Sequence, residues 1–383
     1  MATALRPTLA PPALPPDVLA EMERLNEEAA PKHIWLRTQA NATMRRPWHE
    51  GVSDNLSNRP GRAQAHLWRW RDIEPYLHKI AAIAPLEFTD RQQFLLTNPG
   101  LSGQLKVAPT IRIAISIYKP GDVATTHLHT PNASRTILSK DGGYTTVEGE
   151  RCEAKRGDLI LTPAGTWHGH GNDSKDPVIW IDTLDWPLLE YLDAIWIHED
   201  HGEAPKTLTP DRSRRRYAMG GVRPRFAKET RANGGRVDPL FHYRGADVRR
   251  MLEDLGGEDG SPYEGVIVEF ADPETGAPAF GTLSYRAQLL RPSETTRPMR
   301  QTANTFYTVI AGSGWTEVDG RRFEWSENDT LVVPGYQWRR HGNADAHTPA
   351  ILYSTTDEPL MRAIRQYRAQ GRNESGAIVE LTD

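Results

Sequence analysis

Apolar residues recur at helical spacing behind an acidic first turn over residues 16–25, and further helices are expected near residues 72–82 and over 358–367. Residues 1–16 contain five prolines, which remove backbone donors and predict an extended arm. From about Thr110 the pattern changes. Aliphatic and β-branched runs such as Ile111-Arg112-Ile113-Ala114-Ile115-Ser116-Ile117 and Asp158-Leu159-Ile160-Leu161-Thr162 are bounded by Gly and Pro turns. Similar runs return at residues 265–270 and continue to about Ser354. They predict an all-β core of small antiparallel barrels with peripheral helices. Residues 201–260, rich in Arg, Gly, Pro and Asp, read as a connector, or as a lid and subunit-contact segment.

An internal repeat sets the number of barrels. Gly143-Tyr144-Thr145-Thr146-Val147-Glu148-Gly149 corresponds to Gly314-Trp315-Thr316-Glu317-Val318-Asp319-Gly320 at an offset of 171 residues, and the same offset carries Asp158 to Asp329, Pro163 to Pro334 and Trp167 to Trp338. A repeated spacing reports a repeated supersecondary unit, so two copies of one barrel are expected. The two tryptophans, sharing a repeat position, are expected in the core.

Composition narrows the setting. The 383 residues carry 46 Lys and Arg against 50 Asp and Glu, net charge -4, which gives no electrostatic footprint for nucleic acid. No apolar run approaches the roughly 20 residues that cross a bilayer. Cys152 is the single cysteine, so an intrachain disulfide and a thiolate cluster are excluded and the reducing cytoplasm is the expected compartment.

The candidate chemistry lies in the first copy. Alternate residues of a strand share a face, so His127 and His129 can both enter a barrel interior while Leu128 faces away. His168 and His170 lie beyond a hairpin-like stretch, and a third imidazole would complete one face of a metal site. The second copy has Pro298, Arg300 and Arg339 in place of His127, His129 and His168, which removes the ligands. One metal per chain is therefore expected. The expected division is an arm with helices at 1–90, a metal-binding barrel at 91–200, the connector or lid at 201–260, a metal-free barrel at 261–370 and a polar tail at 371–383.

These residues resemble the cupin superfamily. Gly121 followed by His127-x-His129 is similar to its first motif, and Gly157-x5-Pro163-x-Gly165-x2-His168-x3-Asn172 to its second. The glutamate usual in the first motif is absent between His129 and Lys140, which implies a three-histidine site. More narrowly, from about Trp35 to Tyr367 the chain resembles the bicupin dioxygenases that cleave gentisate, salicylate and 1-hydroxy-2-naphthoate. The resemblance rests on Asn98-Pro99-Gly100-Leu101, His127-Leu128-His129-Thr130-Pro131-Asn132-Ala133, Trp167-His168-Gly169-His170 and Trp180-Ile181-Asp182. It implies Fe(II), one per chain, on His127, His129 and His168. It also implies substrate contacts from Arg91 and Arg135, a pocket and proton-transfer role for His170, and an acidic neighbour, Asp182, that could orient His170 or a ligand histidine. Neutral imidazoles leave Fe(II) electrophilic with open positions for an aromatic ortho-hydroxycarboxylic acid and molecular oxygen.

Two positions bear on substrate choice. Arg112 stands where salicylate-cleaving relatives can present an aromatic residue, and Ser116, four positions onward on the same strand, where a longer amide can occur. An inward Arg112 would favour gentisate, or a salicylate with a polar group such as 5-nitrosalicylate, over salicylate or a fused naphthoate. The resemblance further implies a homo-oligomer, dimer or tetramer. A metal-dependent cupin isomerase and a nonenzymatic small-molecule-binding bicupin are the competing classes.

Overall fold

The computed structural model describes residues 15–17, 20, 24, 63–83, 92–101, 103–206, 208–217 and 239–381. The chain separates into two units, 1–52 and 53–383, and both barrels lie in the second. The expected arm at 1–16 and helix at 16–25 fall almost wholly outside the described residues, and Arg91 falls outside them too. No helix among the described residues is long and apolar enough to cross a membrane.

Strand β1 (His66–Trp68) and helix α1 (Trp70–Ile83) precede the first barrel. Its strands are β2 (Gln93–Leu95), β3 (Arg112–Tyr118), β4 (Val123–His129), β5 (Ala133–Ile137), β6 (Asp141–Val147), β7 (Glu150–Lys155), β8 (Leu159–Thr162), β9 (His168–Gly171) and β10 (Val178–Leu184). Next come α2 (Trp186–Tyr191), β11 (Ile197–Glu199), β12 (Thr209–Pro210), α3 (Arg212–Arg216), β13 (His242–Tyr243) and α4 (Gly245–Asp254). The second barrel comprises β14 (Val266–Glu269), β15 (Ser284–Leu290), β16 (Met299–Gln301), β17 (Thr305–Ala311), β18 (Ser313–Val318), β19 (Arg321–Ser326), β20 (Thr330–Val333), β21 (Arg339–Asn343) and β22 (Ala350–Thr356). Helix α5 (Glu358–Ala363) and strands β23 (Ala369–Arg372) and β24 (Ile378–Glu380) follow. The sheets run β13-β8-β5-β10-β3-β2 and β11-β4-β9-β6-β7-β12 in the first barrel, and β1-β20-β17-β22-β15-β14 and β19-β18-β21-β16-β23-β24 in the second. The expected bicupin fold, two small antiparallel barrels with peripheral helices, is what forms.

The run from Ile111 to Ile117 is mostly apolar because β3 is buried on both faces, with Arg112 at its less buried end and Ser116 bonded to Asp182. Ile113, Ile115 and Ile117 pack with Tyr285, Ala287 and Leu289 of β15 in a core between the barrels. The opposite face turns inward, where Tyr118 joins Ile137, Val147, Trp180 and Phe241 and fills the closed end of the first barrel.

The segment ahead of each barrel completes the other one. Strand β1 extends the second barrel through β20, and β13 extends the first through β8. The repeated aspartates fasten both exchanges. Asp329 accepts the Trp70 N–H at 2.7 Å, and Asp158 accepts the Gly245 N–H at 2.8 Å. Part of the segment expected as a connector is thus barrel wall: Ser213, Phe241 and His242 are buried, and the Ser213 hydroxyl donates to buried Glu150 at 2.9 Å.

His242 is the centre of this fastening, with Nε2 2.7 Å from Asp158 Oδ2 and Nδ1 3.5 Å from Asp211 Oδ1. Burial pulls its pKa down, but the two carboxylates outweigh burial and the net shift is upward. A raised native pKa gives stability that is complete below the unfolded value of about 6.5 and is lost as pH climbs through the native value. Denaturant midpoints are expected to fall as pH rises above about 6.5, and His242→Gln should flatten that fall; an unchanged slope in the variant would exclude His242 as its source.

Two expectations at the C-terminus need correction. The last helix stops at Ala363 rather than 367, because Arg365 adopts a left-handed backbone, φ 58°. Residues 371–383, expected as a tail, instead continue the sheet to Glu380. Asn373 accepts the Ala377 N–H at 2.9 Å and Gly376 takes φ 81°, which folds β24 back on β23.

Candidate metal centre and substrate cavity

Strands β4 and β9 lie side by side with His127 directly opposite His168, and the strand period brings His129 to the same face. A register shift in β4 between Ala124 and His127 sets the ligand-bearing end of the strand. Ligand atoms of His127, His129 and His168 lie within 4.8 Å of one another, and all three residues are buried. Each Nδ1 is taken by a backbone carbonyl: Thr125 O at 3.1 Å from His127, Pro131 O at 2.8 Å from His129 and Thr166 O at 2.8 Å from His168. With Nδ1–H donating, Nε2 carries the lone pair a metal requires. His168 Nε2 is buried without a hydrogen-bond partner, as a ligand atom awaiting an ion would be. Burial, then the charges of His127, His129 and Arg135, hold the His168 pKa well below its usual value, so the ring is neutral. The donor set fits a borderline divalent metal.

His127 and His129 of the triad line a cavity of about 280 Å³, small for a ligand site and suited to a single-ring acid. Ala114 and Ala133 leave the space open, and Arg135 and Asp182 supply its buried charge. Arg135 Nε lies 3.2 Å from Asp182 Oδ1, and its Nη1 donates to Thr162 Oγ1 at 3.1 Å. The other Asp182 oxygen accepts from Ser116 Oγ at 2.6 Å and Trp180 Nε1 at 3.0 Å. Asp182 therefore positions Arg135 and not, as expected, a histidine.

Two other expected site residues lie deeper. Ser116 is fully buried behind Asp182 and does not line the cavity. His170 also lies outside the cavity lining, one inward step along β9 towards the closed end, its ring 5.8 Å from that of His168 and its Nδ1 3.2 Å from Thr145 Oγ1. The second barrel keeps this pair as His341 and Thr316, 2.8 Å apart, so the pair belongs to the shared barrel framework. Arg112 does line the cavity; its Nε donates to Leu105 O at 3.2 Å, and its guanidinium stacks 4.4 Å above Trp186. Trp167 and Trp338, expected in the core, are only half-buried, against His198 and Arg300.

The second barrel closes the equivalent space. Ala114 pairs with Asp182, which pairs with Arg135; in the second barrel Arg286 pairs with Ser354, which pairs with Tyr307. Arg286 thus stands where Ala114 does and donates to Glu358 at 2.6 Å. Arg300, where His129 would stand, donates to Gln370 at 2.7 Å. Among the described residues, the first-barrel triad is the one histidine cluster able to hold a metal.

Gln93, Thr125, Trp186, Ile197 and Glu199 also line the cavity and were not foreseen. Ile197 and Glu199 reach it only because β11 pairs with β4, a contact between strands about 70 residues apart that no local motif announces.

A buried three-histidine cluster at the open end of a two-barrel fold defines a cupin metal centre. The Cupin domain family matches residues 114–184. A 5-aminosalicylate 1,2-dioxygenase from Comamonas sp. is 35% identical over 86% of this chain and 88% of its own length. A gentisate 1,2-dioxygenase from Ralstonia sp. is 35% identical over 80% and 85%. The crystal structure of salicylate 1,2-dioxygenase from Pseudaminobacter salicylatoxidans has TM-score 0.79 and 25% identity, covering 94% of this chain and 99% of that one. The chain belongs to the cupin family of gentisate, salicylate and 1-hydroxy-2-naphthoate ring-cleaving 1,2-dioxygenases.

Proposed function

We propose that the protein is an Fe(II)-dependent dioxygenase with one iron per chain. Its substrate is gentisate or a polar-substituted salicylate such as 5-nitrosalicylate, cut between the carboxyl- and hydroxyl-bearing carbons with both atoms of dioxygen entering the product. The observation that carries this reading is the three-histidine cluster beside a positioned guanidinium at one small cavity. Bound Fe(II) would supply open coordination positions for the substrate oxygens and for dioxygen. Arg135 attracts and orients the substrate carboxylate, and Asp182 fixes the angle of the guanidinium. Ala114 and Ala133 leave room for one aromatic ring beside the histidines. The two 35% relatives are named for acids with an amino or hydroxyl group at ring position 5, which supports a polar substituent here.

Arg112 is the cationic candidate to meet that substituent. The test is oxygen uptake and product mass on salicylate, gentisate, 5-nitrosalicylate and 1-hydroxy-2-naphthoate at equal iron occupancy. Arg112→Ala should cost about 1.5 to 3 kcal/mol in selectivity for the polar-substituted acids, with salicylate least affected. Equal loss on every acid would move Arg112 to the shared carboxylate or to structure, and turnover without oxygen uptake would replace the dioxygenase by an isomerase.

A further inference from the structure

We infer that Glu199 reads the substituent on the substrate ring and makes the site prefer hydrogen-bond donors, hydroxyl or amino, over the acceptor nitro group. The inference rests on the proposed function and narrows its substrate class. Glu199 lies at the end of β11, an edge strand, with His127 as its partner across the ladder. Residues directly opposite in a ladder share a face, so Glu199 and Ile197 stand beside His127 and His129 and line the same cavity. The charged residues of the cavity differ in how they are engaged. Arg135 and Asp182 are paired with each other, and Arg112 is bonded to Leu105 O and stacked on Trp186. The Glu199 side chain makes no hydrogen bond or ion pair among the described residues and is exposed at the rim. Its carboxylate falls outside the cluster formed by the three histidines, so it is left to the ligand. A carboxylate is acceptor-only and negative: it gains from a phenolic O–H or an amine N–H and repels the oxygens of a nitro group.

The experiment uses the full-length iron-reconstituted protein and compares kcat/KM for gentisate, 5-aminosalicylate, salicylate and 5-nitrosalicylate in wild type, Glu199→Gln, Glu199→Leu and Glu199→Lys. Iron content and anaerobic binding of each acid are measured alongside. Glu199→Leu should lower gentisate and 5-aminosalicylate about ten-fold relative to salicylate, as loss of one charge-assisted hydrogen bond at a partly exposed rim would. Glu199→Gln should fall between, and Glu199→Lys should shift the order towards 5-nitrosalicylate, in both turnover and binding. An unchanged ranking of the acids in Glu199→Lys, or equal loss on all four, overturns the inference while leaving the dioxygenase assignment standing. Loss of iron in Glu199→Gln also overturns it, since Glu199 would then be a ligand. A wild type that cleaves none of the acids with iron bound rejects the proposed function itself.

Discussion

His129→Ala is expected to abolish ring cleavage and iron retention together, with turnover down on the order of 1,000-fold or more, while the barrels stay folded. His129 stands on β4 beside His127, its Nδ1 is held by Pro131 O, and it is one of the three residues of the candidate metal cluster. The buried position tolerates the smaller side chain because the second barrel builds the same architecture with Pro298 and Arg300 where these histidines stand. Iron analysis, circular dichroism and oxygen uptake on one preparation check this. Normal iron content with normal turnover would remove His129 from the centre.

The second large effect is expected at the Arg135–Asp182 pair. Arg135→Ala should lower kcat/KM on the order of 100- to 1,000-fold with iron still bound, because a preorganised cation is lost from the cavity. Stability should fall by roughly 3 to 5 kcal/mol, since Asp182 would be left buried without its countercharge. Arg135→Lys should recover little, because an ammonium cannot offer the planar fork that meets Asp182, Thr162 and a ligand together. Asp182→Asn should also be damaging. One carboxylate oxygen faces Arg135 and the other takes two donors, Ser116 and Trp180, so an amide NH2 meets a donor whichever way it turns. Steady-state kinetics and denaturant curves on iron-loaded variants separate the two losses. Wild-type kinetics in Arg135→Ala would mean that the substrate carboxylate is bound elsewhere.

The sequence allowed the fold and the triad to be read because both repeat locally or by contrast. His127-x-His129 sits on one strand, and Pro298, Arg300 and Arg339 stand at the same repeat positions where the second barrel lacks ligands. Contacts between distant strands were not legible. Nothing near Glu199 says that β11 will pair with β4, and nothing near His242 says that its strand completes the first barrel. Ser116 and His170 were expected at the substrate from the family resemblance, and strand alternation gives the face but not the depth: both point inward, yet towards the closed end. Composition misled in two places, at the polar segment that is partly barrel wall and at the tail that forms β24.

The central claim is tested most directly by anaerobic titration of metal-free protein with Fe(II), followed by oxygen uptake and product mass with gentisate. Activity should rise linearly and stop at one iron per chain, with one dioxygen consumed for each ring opened between the carboxyl- and hydroxyl-bearing carbons. A break at two irons per chain, or ring turnover that consumes no oxygen, would contradict the account.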